Sequence, residues 1–175
     1  YKTGRKSFDL TDIANGLGLQ LLIYLFALEK GGKRLFGKET VPAGVLYIPA
    51  RDKALPLPRR TTEEERLRTL SAELRRSGVI LDDRSVIEAM ENLDGREPRF
   101  LPVKLNKAGE VTGEALLSAE KLGKLGRYID RLLAQLASEL ARGNTSADPY
   151  EKNGRTACDW CDYASACHFE EGLGS

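Results

Sequence analysis

All three cysteines of the chain lie close together near its C-terminal end, in the pattern C-x2-C-x5-C formed by Cys158, Cys161 and Cys167. Thiolates bind soft metals, and both structural zinc and iron–sulfur clusters are usually held by four ligands. The spacing therefore indicates a metal centre with three of its ligands in one short segment. The fourth ligand is either the neighbouring His168 or a residue outside this chain.

The composition is that of a globular domain. The chain has 175 residues, of which 41% are hydrophobic and 30% are charged, which suits one domain with a core and a small appendage. The net charge of +1 gives no bulk basic character, so binding of a polyanion requires a local cationic surface. No apolar run is long enough to cross a membrane, and an odd, clustered set of cysteines predicts a metal in a reducing compartment rather than a disulfide framework.

Hydrophobic periodicity and helix-boundary residues predict an α/β chain. The first helix is expected from Asp9 or Thr11 to Lys30, ended by Gly31 and Gly32, with a buried stripe of Ile13, Leu17, Leu21, Leu22, Leu25 and Leu28. Further helices are expected over Glu63–Arg76, Asp83–Asn92 and Ser118–Gly143, strands over Val41–Ile48 and Arg99–Leu105, and a turn over Asn106–Gly109. Pro102 restricts the second strand to a sheet edge or a bulge.

Three polar residues near the N-terminal end could carry chemistry. Lys2 stands at a predicted strand end, and Gln20 and Tyr24 are four apart, so they share one face of a helix. Taken singly, each has an ordinary explanation: a solvated lysine, a partly exposed glutamine, and a core tyrosine with its hydroxyl satisfied.

In combination, these segments resemble one family over nearly the whole chain. Tyr1-Lys-Thr-Gly4, Gln20-Leu-Leu-Ile-Tyr24 and the cysteine pattern, in this order, resemble the C-terminal domain of RecB-like PD-(D/E)xK nucleases that carry an iron–sulfur staple. The local amino-acid sequence is most similar to that of AddB-type subunits of the bacterial AddAB helicase–nucleases. The other similar stretches are Ala43-Gly-Val-Leu-Tyr47, Val79-Ile-Leu-Asp-Asp83, Phe100-Leu-Pro-Val-Lys104 and Asn153-Gly-Arg-Thr-Ala-Cys158.

The resemblance implies a restriction-endonuclease-like core, a mixed sheet flanked by helices, that is truncated at its N-terminal side. Residues 1–49 and 99–147 would form the partial nuclease core, residues 50–98 a mainly helical insertion, and residues 148–175 a cysteine-rich iron–sulfur lobe. The helix that carries Gln20 and Tyr24 and the long C-terminal helix would flank the sheet.

The resemblance also implies a catalytic role for Lys2, Gln20 and Tyr24. Lys2 would help to position and deprotonate the attacking water beside Mg²⁺, and its charge would stabilise the phosphate in the transition state. Tyr1 would offer only its backbone carbonyl to the metal. Gln20 and Tyr24 match the family's Q-x3-Y motif, whose side chains face the active site and the DNA backbone.

The family's metal-binding acids have no counterpart in this chain, because the chain begins one residue after the position of the last of them. Asp9 and Asp12 do not match the family pattern. We therefore expect that the chain alone does not cleave DNA.

For the cysteines, the resemblance implies a structural 4Fe–4S cluster whose fourth ligand lies far upstream. The alternative is zinc with His168, which is less favoured because the adjacent Cys167 and His168 would strain a tetrahedral site. Trp160 and Tyr163 are expected to shield the centre, unless they are simply exposed aromatic residues. Lys152 and Arg155 flank the cysteines and could touch DNA phosphates, although such charges are usually only solvated.

As a function, the resemblance implies the C-terminal part of the B subunit of an ATP-dependent helicase/deoxyribonuclease. It would act as a metal-dependent exonuclease on double-strand DNA ends in break repair and recombination, in the cytoplasm, with an AddA-type subunit as partner and no membrane. The alternatives are a non-catalytic module that holds DNA or docks a subunit, and a zinc-binding domain.

Overall fold

A computed structural model describes residues 8–49, 57–93, 97–167 and 169. The chain divides into two compact units, residues 1–130 and 131–175. The helices are α1 (Leu10–Ala14), α2 (Gln20–Phe36), α3 (Glu63–Glu73), α4 (Arg84–Met90), α5 (Ala119–Ala141) and α6 (Ala164–Cys167), and the strands are β1 (Gly44–Tyr47), β2 (Ser77–Leu81), β3 (Lys104–Leu105), β4 (Val111–Thr112) and β5 (Leu116–Leu117). No described helix is long and apolar enough to span a membrane.

The first unit contains a three-stranded mixed sheet in the order β1-β2-β5. Strand β2 is antiparallel to β1 and parallel to β5. Strands β3 and β4 form a separate antiparallel two-stranded ribbon. Helix α2 packs against β1, and α4 packs against β2. The predicted α/β class with a mixed sheet is therefore confirmed.

The segment predicted as a mainly helical insertion, residues 50–98, supplies more than helices. It carries α3 and α4, and α3 has no buried residue, as its charged sequence predicts. It also carries β2, which is the central strand of the sheet. Ile80 of β2 and Ile87 of α4 belong to a hydrophobic core cluster, so this segment forms part of the core. The division into nuclease core, insertion and lobe stays a prediction, but the sheet depends on residues from the segment assigned to the insertion.

The predicted first helix is two helices. Asp9 caps α1 by accepting a hydrogen bond from the Thr11 backbone N–H, and α1 ends before Gly16 and Gly18, which have positive φ angles of 80° and 68°. Side chains other than glycine rarely adopt this conformation, so the two glycines allow the chain to turn between α1 and α2.

Helix α2 also continues through Gly31 and Gly32, where the sequence predicted its end, and stops at the left-handed Gly37. Gly32 is buried because the side chain of Thr40 packs against it where a Cβ would stand. The Thr40 hydroxyl donates to the Leu28 carbonyl at 3.2 Å. Gly32 therefore serves a close approach, not a helix end.

The buried stripe predicted for this region is only partly correct. Ile13 and Leu22 are buried, Leu21 and Leu25 are half-buried, and Leu17 and Leu28 are exposed. Phe26 takes the place in the core that the sequence assigned to Leu25. The interruption at Gly16–Gly18 separates Ile13 from the apolar positions of α2, and within α2 the buried face is centred on Leu22 and Phe26.

Helices α3 and α4 begin at side-chain caps. Thr62 and Glu65 form a capping box at the start of α3, and the hydrogen bonds that Glu65 accepts from the Thr62 backbone and hydroxyl lower the pKa of Glu65. Asp83 caps α4, and its pKa is lowered by hydrogen bonds from the Ser85 hydroxyl and from the backbone N–H groups of Val86 and Ser85. Helix α5 matches its prediction closely.

The predicted strand Arg99–Leu105 is strand only at its last two residues, within β3. Leu101 and Val103 are nevertheless fully buried in the core cluster. Hydrogen bonds from side chains take the place of the backbone hydrogen bonds that a longer strand would form. The Glu91 carboxylate accepts from the backbone N–H of Arg99 at 2.7 Å and of Leu101 at 3.0 Å. Arg75 donates to the Leu101 carbonyl at 3.2 Å. This segment is thus held by a carboxylate on one side and a guanidinium on the other.

Candidate functional site

Gln20 and Tyr24 lie in the first two turns of α2. The face opposite to them carries Leu22 and Phe26, which are 1% and 5% exposed. Because the helix buries that face, it directs residues 20 and 24 away from the core. The glycine turn before α2 sets the position at which the helix begins.

The two side chains contact each other directly. Gln20 Nε2 donates a hydrogen bond to the Tyr24 hydroxyl oxygen at 2.8 Å. Tyr24 is 54% exposed, so it is not the core tyrosine that its sequence context favours when it is taken alone. The structure brings this predicted pair together on an accessible surface, whereas its catalytic role stays a prediction.

The chemistry available to this pair is hydrogen bonding without charge. Since the Tyr24 oxygen accepts from Gln20, the phenolic hydrogen is left to donate outward, and the second N–H of the Gln20 amide is also left. Two such donors suit non-bridging phosphate oxygens. They can orient a phosphodiester, but neither is a base or a metal ligand strong enough to generate a nucleophile.

Helices α1 and α2 both contact the first part of α5. Lys30 Nζ donates to both carboxylate oxygens of Asp130, at 2.7 and 2.8 Å, and the Tyr128 hydroxyl donates to the Ala14 carbonyl at 2.6 Å. The Lys30–Asp130 pair is more than half exposed, so it adds little stability. The ion pair links α2 to α5, and the Tyr128 hydrogen bond links α1 to α5.

Lys2 and Tyr1, the other residues of the predicted active site, lie outside the described residues, and so does His168, the alternative metal ligand. The roles assigned to all three therefore stay predictions.

The cysteine segment follows a tight turn. Lys152 and Arg155 pair across Asn153 and Gly154, which have positive φ angles of 55° and 69°. Thr156 comes next and is 5% exposed, and its hydroxyl accepts from the Cys158 backbone N–H at 3.2 Å. The buried threonine therefore fixes the start of the short 3₁₀ helix Ala157–Trp160.

Cys158 and Cys161 are positioned by this 3₁₀ turn. Residues three apart in such a turn lie above one another, and the Cys161 backbone N–H donates to the Cys158 carbonyl at 3.2 Å. Cys158 is half-buried, while Cys161 and Cys167 are exposed. Among the residues that the structure describes, no three His, Cys, Asp or Glu side chains are grouped closely enough to hold a metal. The donor types fit a thiolate-bound metal, but the three thiols do not form a ready-made site.

The aromatic residues predicted to shield this centre are exposed. Trp160 is 70% and Tyr163 is 77% exposed. The Arg155 guanidinium lies 5.1 Å from the centre of the Trp160 ring and 3.9 Å from the Asp159 carboxylate. Arg155 is therefore engaged by two neighbours, and the DNA contact predicted for Lys152 and Arg155 stays untested.

Sequence reasoning missed a second cationic cluster, in the first unit. The guanidinium groups of Arg76 and Arg99 both lie over the ring of Phe100. The adjacent Arg75 and Arg76 after α3 were visible in the sequence, but the Phe100 ring that Arg76 contacts is far along the chain. Only the fold brings them together.

The geometry defines an α/β protein with a phosphate-compatible donor pair on one helix, which is consistent with a nuclease. The family model described as PD-(D/E)XK nuclease superfamily matches residues 1–168. The chain therefore belongs to the PD-(D/E)XK nuclease superfamily.

Curated relatives narrow this class. The chain is 34% identical over 174 residues to the B subunit of the ATP-dependent helicase/deoxyribonuclease of Clostridium tetani, and 35% identical over 173 residues to the protein of the same name from Acetivibrio thermocellus. The alignments cover 99% and 97% of this chain but 15% of each relative. The predicted resemblance to AddB-type subunits is confirmed, and the chain spans about 15% of the length of these relatives.

Proposed function

We propose that this chain forms part of the deoxyribonuclease domain in the B subunit of a helicase/deoxyribonuclease. The observation that carries the proposal is the alignment of 99% of the chain with a protein of that name, together with the match to the nuclease superfamily over residues 1–168. The Gln20–Tyr24 pair supports it, because both side chains are exposed and present hydrogen-bond donors of the kind that bind phosphate. The substrate we infer is the end of double-stranded DNA, cleaved in break repair and recombination. An AddA-type subunit is the inferred partner, and the cytoplasm the inferred compartment.

When bound, Mg²⁺ would activate a water and neutralise charge on the phosphate. By the family resemblance, Lys2 would position and deprotonate that water, and Tyr1 would offer only its backbone carbonyl to the metal. Gln20 and Tyr24 donate to phosphate oxygens and orient the phosphodiester for in-line attack.

The nuclease proposal is tested in a full-length B subunit that carries this chain, assembled with its partner. Release of nucleotides from linear duplex DNA is measured with and without Mg²⁺. Lys2→Ala should lower the cleavage rate by roughly 10²-fold to 10⁴-fold, as loss of a proton-transfer group does. Tyr24→Phe, which removes the hydroxyl bonded to Gln20, should cause a smaller loss.

The matched control is Gln135→Ala, which removes an exposed glutamine from another helix, α5. Gln135→Ala should leave the rate unchanged. Cleavage that persists at the full rate in Lys2→Ala would instead favour the non-catalytic alternative, a module that holds DNA or docks a subunit.

We also propose that Cys158, Cys161 and Cys167 ligate a 4Fe–4S cluster whose fourth ligand lies outside this chain. The donor types and the shared face of Cys158 and Cys161 support this, and the cluster would act as a structural staple. Iron, sulfide and zinc are measured in the anaerobically purified full-length protein beside Cys161→Ala, with Ser165→Ala as the control. About four irons per chain, lost only in the cysteine variant, is the expected result. Stoichiometric zinc would support the zinc-binding alternative.

A further inference from the structure

Two arginines share one aromatic ring on the surface of the first unit. The guanidinium carbon of Arg76 lies 5.9 Å and that of Arg99 lies 5.4 Å from the centre of the Phe100 ring. Arg76 follows α3, and Arg99 precedes Phe100 in the chain. We call Arg76, Arg99 and Phe100 the arginine clasp.

The clasp is held by backbone contacts. The Arg76 backbone N–H donates to the Phe100 carbonyl at 2.8 Å, and the Glu91 carboxylate accepts from the backbone N–H groups of Arg99 at 2.7 Å and Phe100 at 3.2 Å. The ring itself is half-buried. Since contact with a ring restrains a guanidinium, binding a ligand at the clasp costs less side-chain entropy than binding at two free arginines.

The charges of the clasp are not neutralised within the described part of the chain. Neither guanidinium forms an ion pair with a described carboxylate, and the side-chain hydrogen bond of Arg99 is a long contact, 3.5 Å, to the Ser71 hydroxyl. Other exposed arginines differ: Arg68 and Arg84 each pair with a glutamate at 2.7 Å. Glu91, the carboxylate beside the clasp, directs its oxygens to backbone N–H groups.

Two like charges beside one ring repel each other, and an anion between or beside them relieves the repulsion. The planar guanidinium, with its five N–H donors, is well matched to phosphate oxygens. The net charge of the whole chain is only +1, so a local cluster of this kind is where a polyanion would be attracted.

We propose that the arginine clasp binds the phosphate backbone of DNA, as a contact separate from the Gln20–Tyr24 pair. This inference rests on the proposed function, because membership of a nuclease family is what favours DNA over an acidic protein segment. The contact is made to phosphates, so it adds affinity without base preference.

The salt dependence of DNA binding tests the clasp. Binding of the chain to a fluorescein-labelled duplex of about 30 base pairs is followed by anisotropy between about 50 and 200 mM KCl. Each phosphate contact adds about 0.9 to the slope of log K against log salt. Arg76→Gln and Arg99→Gln should each lower the slope by about 1, and the double variant by about 2.

Two control variants separate a specific contact from a general loss of charge. Arg84→Gln removes an arginine that is already paired with Glu88, and it should leave the slope unchanged. Arg76→Lys keeps the charge, so it should retain most of the slope, and far-ultraviolet circular dichroism checks that each variant is folded.

The outcomes distinguish the clasp from the proposed function. If the wild type binds DNA and the double variant keeps its slope, or if Arg84→Gln lowers the slope equally, the clasp is wrong and the nuclease proposal stands. If the wild type does not bind DNA, the clasp is wrong, and the nuclease proposal is decided by the cleavage assay on the assembled full-length subunit. If an oligoglutamate peptide displaces DNA only from a clasp-containing chain and binds more tightly than the duplex, the clasp serves an acidic protein segment and our proposal is overturned.

Discussion

Gly126 of α5 lies where the ring of Phe26 from α2 packs against it. A methyl group added at Gly126 would stand 3.0, 3.1 and 3.3 Å from the Cε1, Cδ1 and Cζ atoms of that ring. Phe26 is only 5% exposed, so the ring has little room to move. Gly123, one turn earlier on the same helix, faces open space except for Arg127 Nη1 at 3.5 Å, and that flexible side chain can swing aside.

We predict that Gly126→Ala and Gly123→Ala change the stability in different ways. Both substitutions gain about 1 kcal/mol of helix propensity. At Gly123 nothing opposes this gain. At Gly126 the methyl group overpacks the contact with Phe26, which costs about 1–3 kcal/mol. Because the propensity gain cancels between the two variants, their difference in unfolding free energy isolates the packing cost, so Gly126→Ala should be about 1–3 kcal/mol less stable than Gly123→Ala.

The assay is urea unfolding followed by far-ultraviolet circular dichroism. Fluorescence is a poor probe here, because the one tryptophan, Trp160, is 70% exposed. A second substitution, Phe26→Leu, should cost less stability in the Gly126→Ala background than in the wild type, since the smaller side chain relieves the overlap. If Gly126→Ala is as stable as Gly123→Ala, the close approach of α2 and α5 described above is wrong.

Three further predictions concern the residues that fix the loops and helix ends. Asp83→Asn should be less stable than the wild type at neutral pH, and this difference in stability should vanish in acid. Because the folded pKa of Asp83 is lowered, the stability that its charge contributes is present above the unfolded pKa of about 4 and is lost as the pH falls through the folded pKa. Melting curves of both proteins recorded at a series of pH values measure the difference. Glu91→Ala should cost about 1–3 kcal/mol in urea unfolding, because backbone N–H groups lose a charged acceptor, whereas Glu88→Ala should cost less than about 1 kcal/mol. Thr156→Val should lower the metal content of the purified full-length protein by loosening the turn before Cys158, while the exposed Thr145→Val should not.

Each of these has a result that would contradict it. A gap between Asp83→Asn and the wild type that stays constant in acid would mean that the cap does not act through its charge. Equal effects of the two glutamate substitutions would remove the role of Glu91 in holding the segment after α4. Normal metal content in the Thr156 variant would show that the hydroxyl does not set the cysteine positions.

The local parts of the fold could be predicted because their signals lie within a few residues. Asp83 followed by a helical pattern predicts α4, and the apolar repeat from Ser118 onward predicts α5, because capping and periodicity act over one or two turns. Gly31 and Gly32 misled the prediction, since a glycine signals either a helix end or a close contact. The contact with Thr40 that decides between them lies outside the helix.

The candidate site also has a part that could be predicted from local sequence and a part that could not. The spacing of Gln20 and Tyr24 predicted a shared helix face, and the structure adds that the two side chains are hydrogen-bonded and exposed. Exposure could not be predicted, because the surrounding leucines make the same sequence suitable for a buried helix on both faces. The buried face of α2 carries Leu22 and Phe26, and it is set by contacts with residues distant in sequence, such as the contact of Phe26 with Gly126 of α5.

Arg75 and Arg76 show most clearly what a single sequence cannot resolve. At the end of a charged helix, both are explained by the preference of helix C-termini for positive charge. Helix α3 ends at Glu73, however, and the two side chains then take different roles. Arg75 donates to a carbonyl of the segment after Arg99 and so serves the fold, whereas Arg76 lies over Phe100 without a carboxylate partner in the described chain. Neighbouring residues of the same type are therefore separated into a structural and a candidate binding role only by contacts with residues distant in sequence.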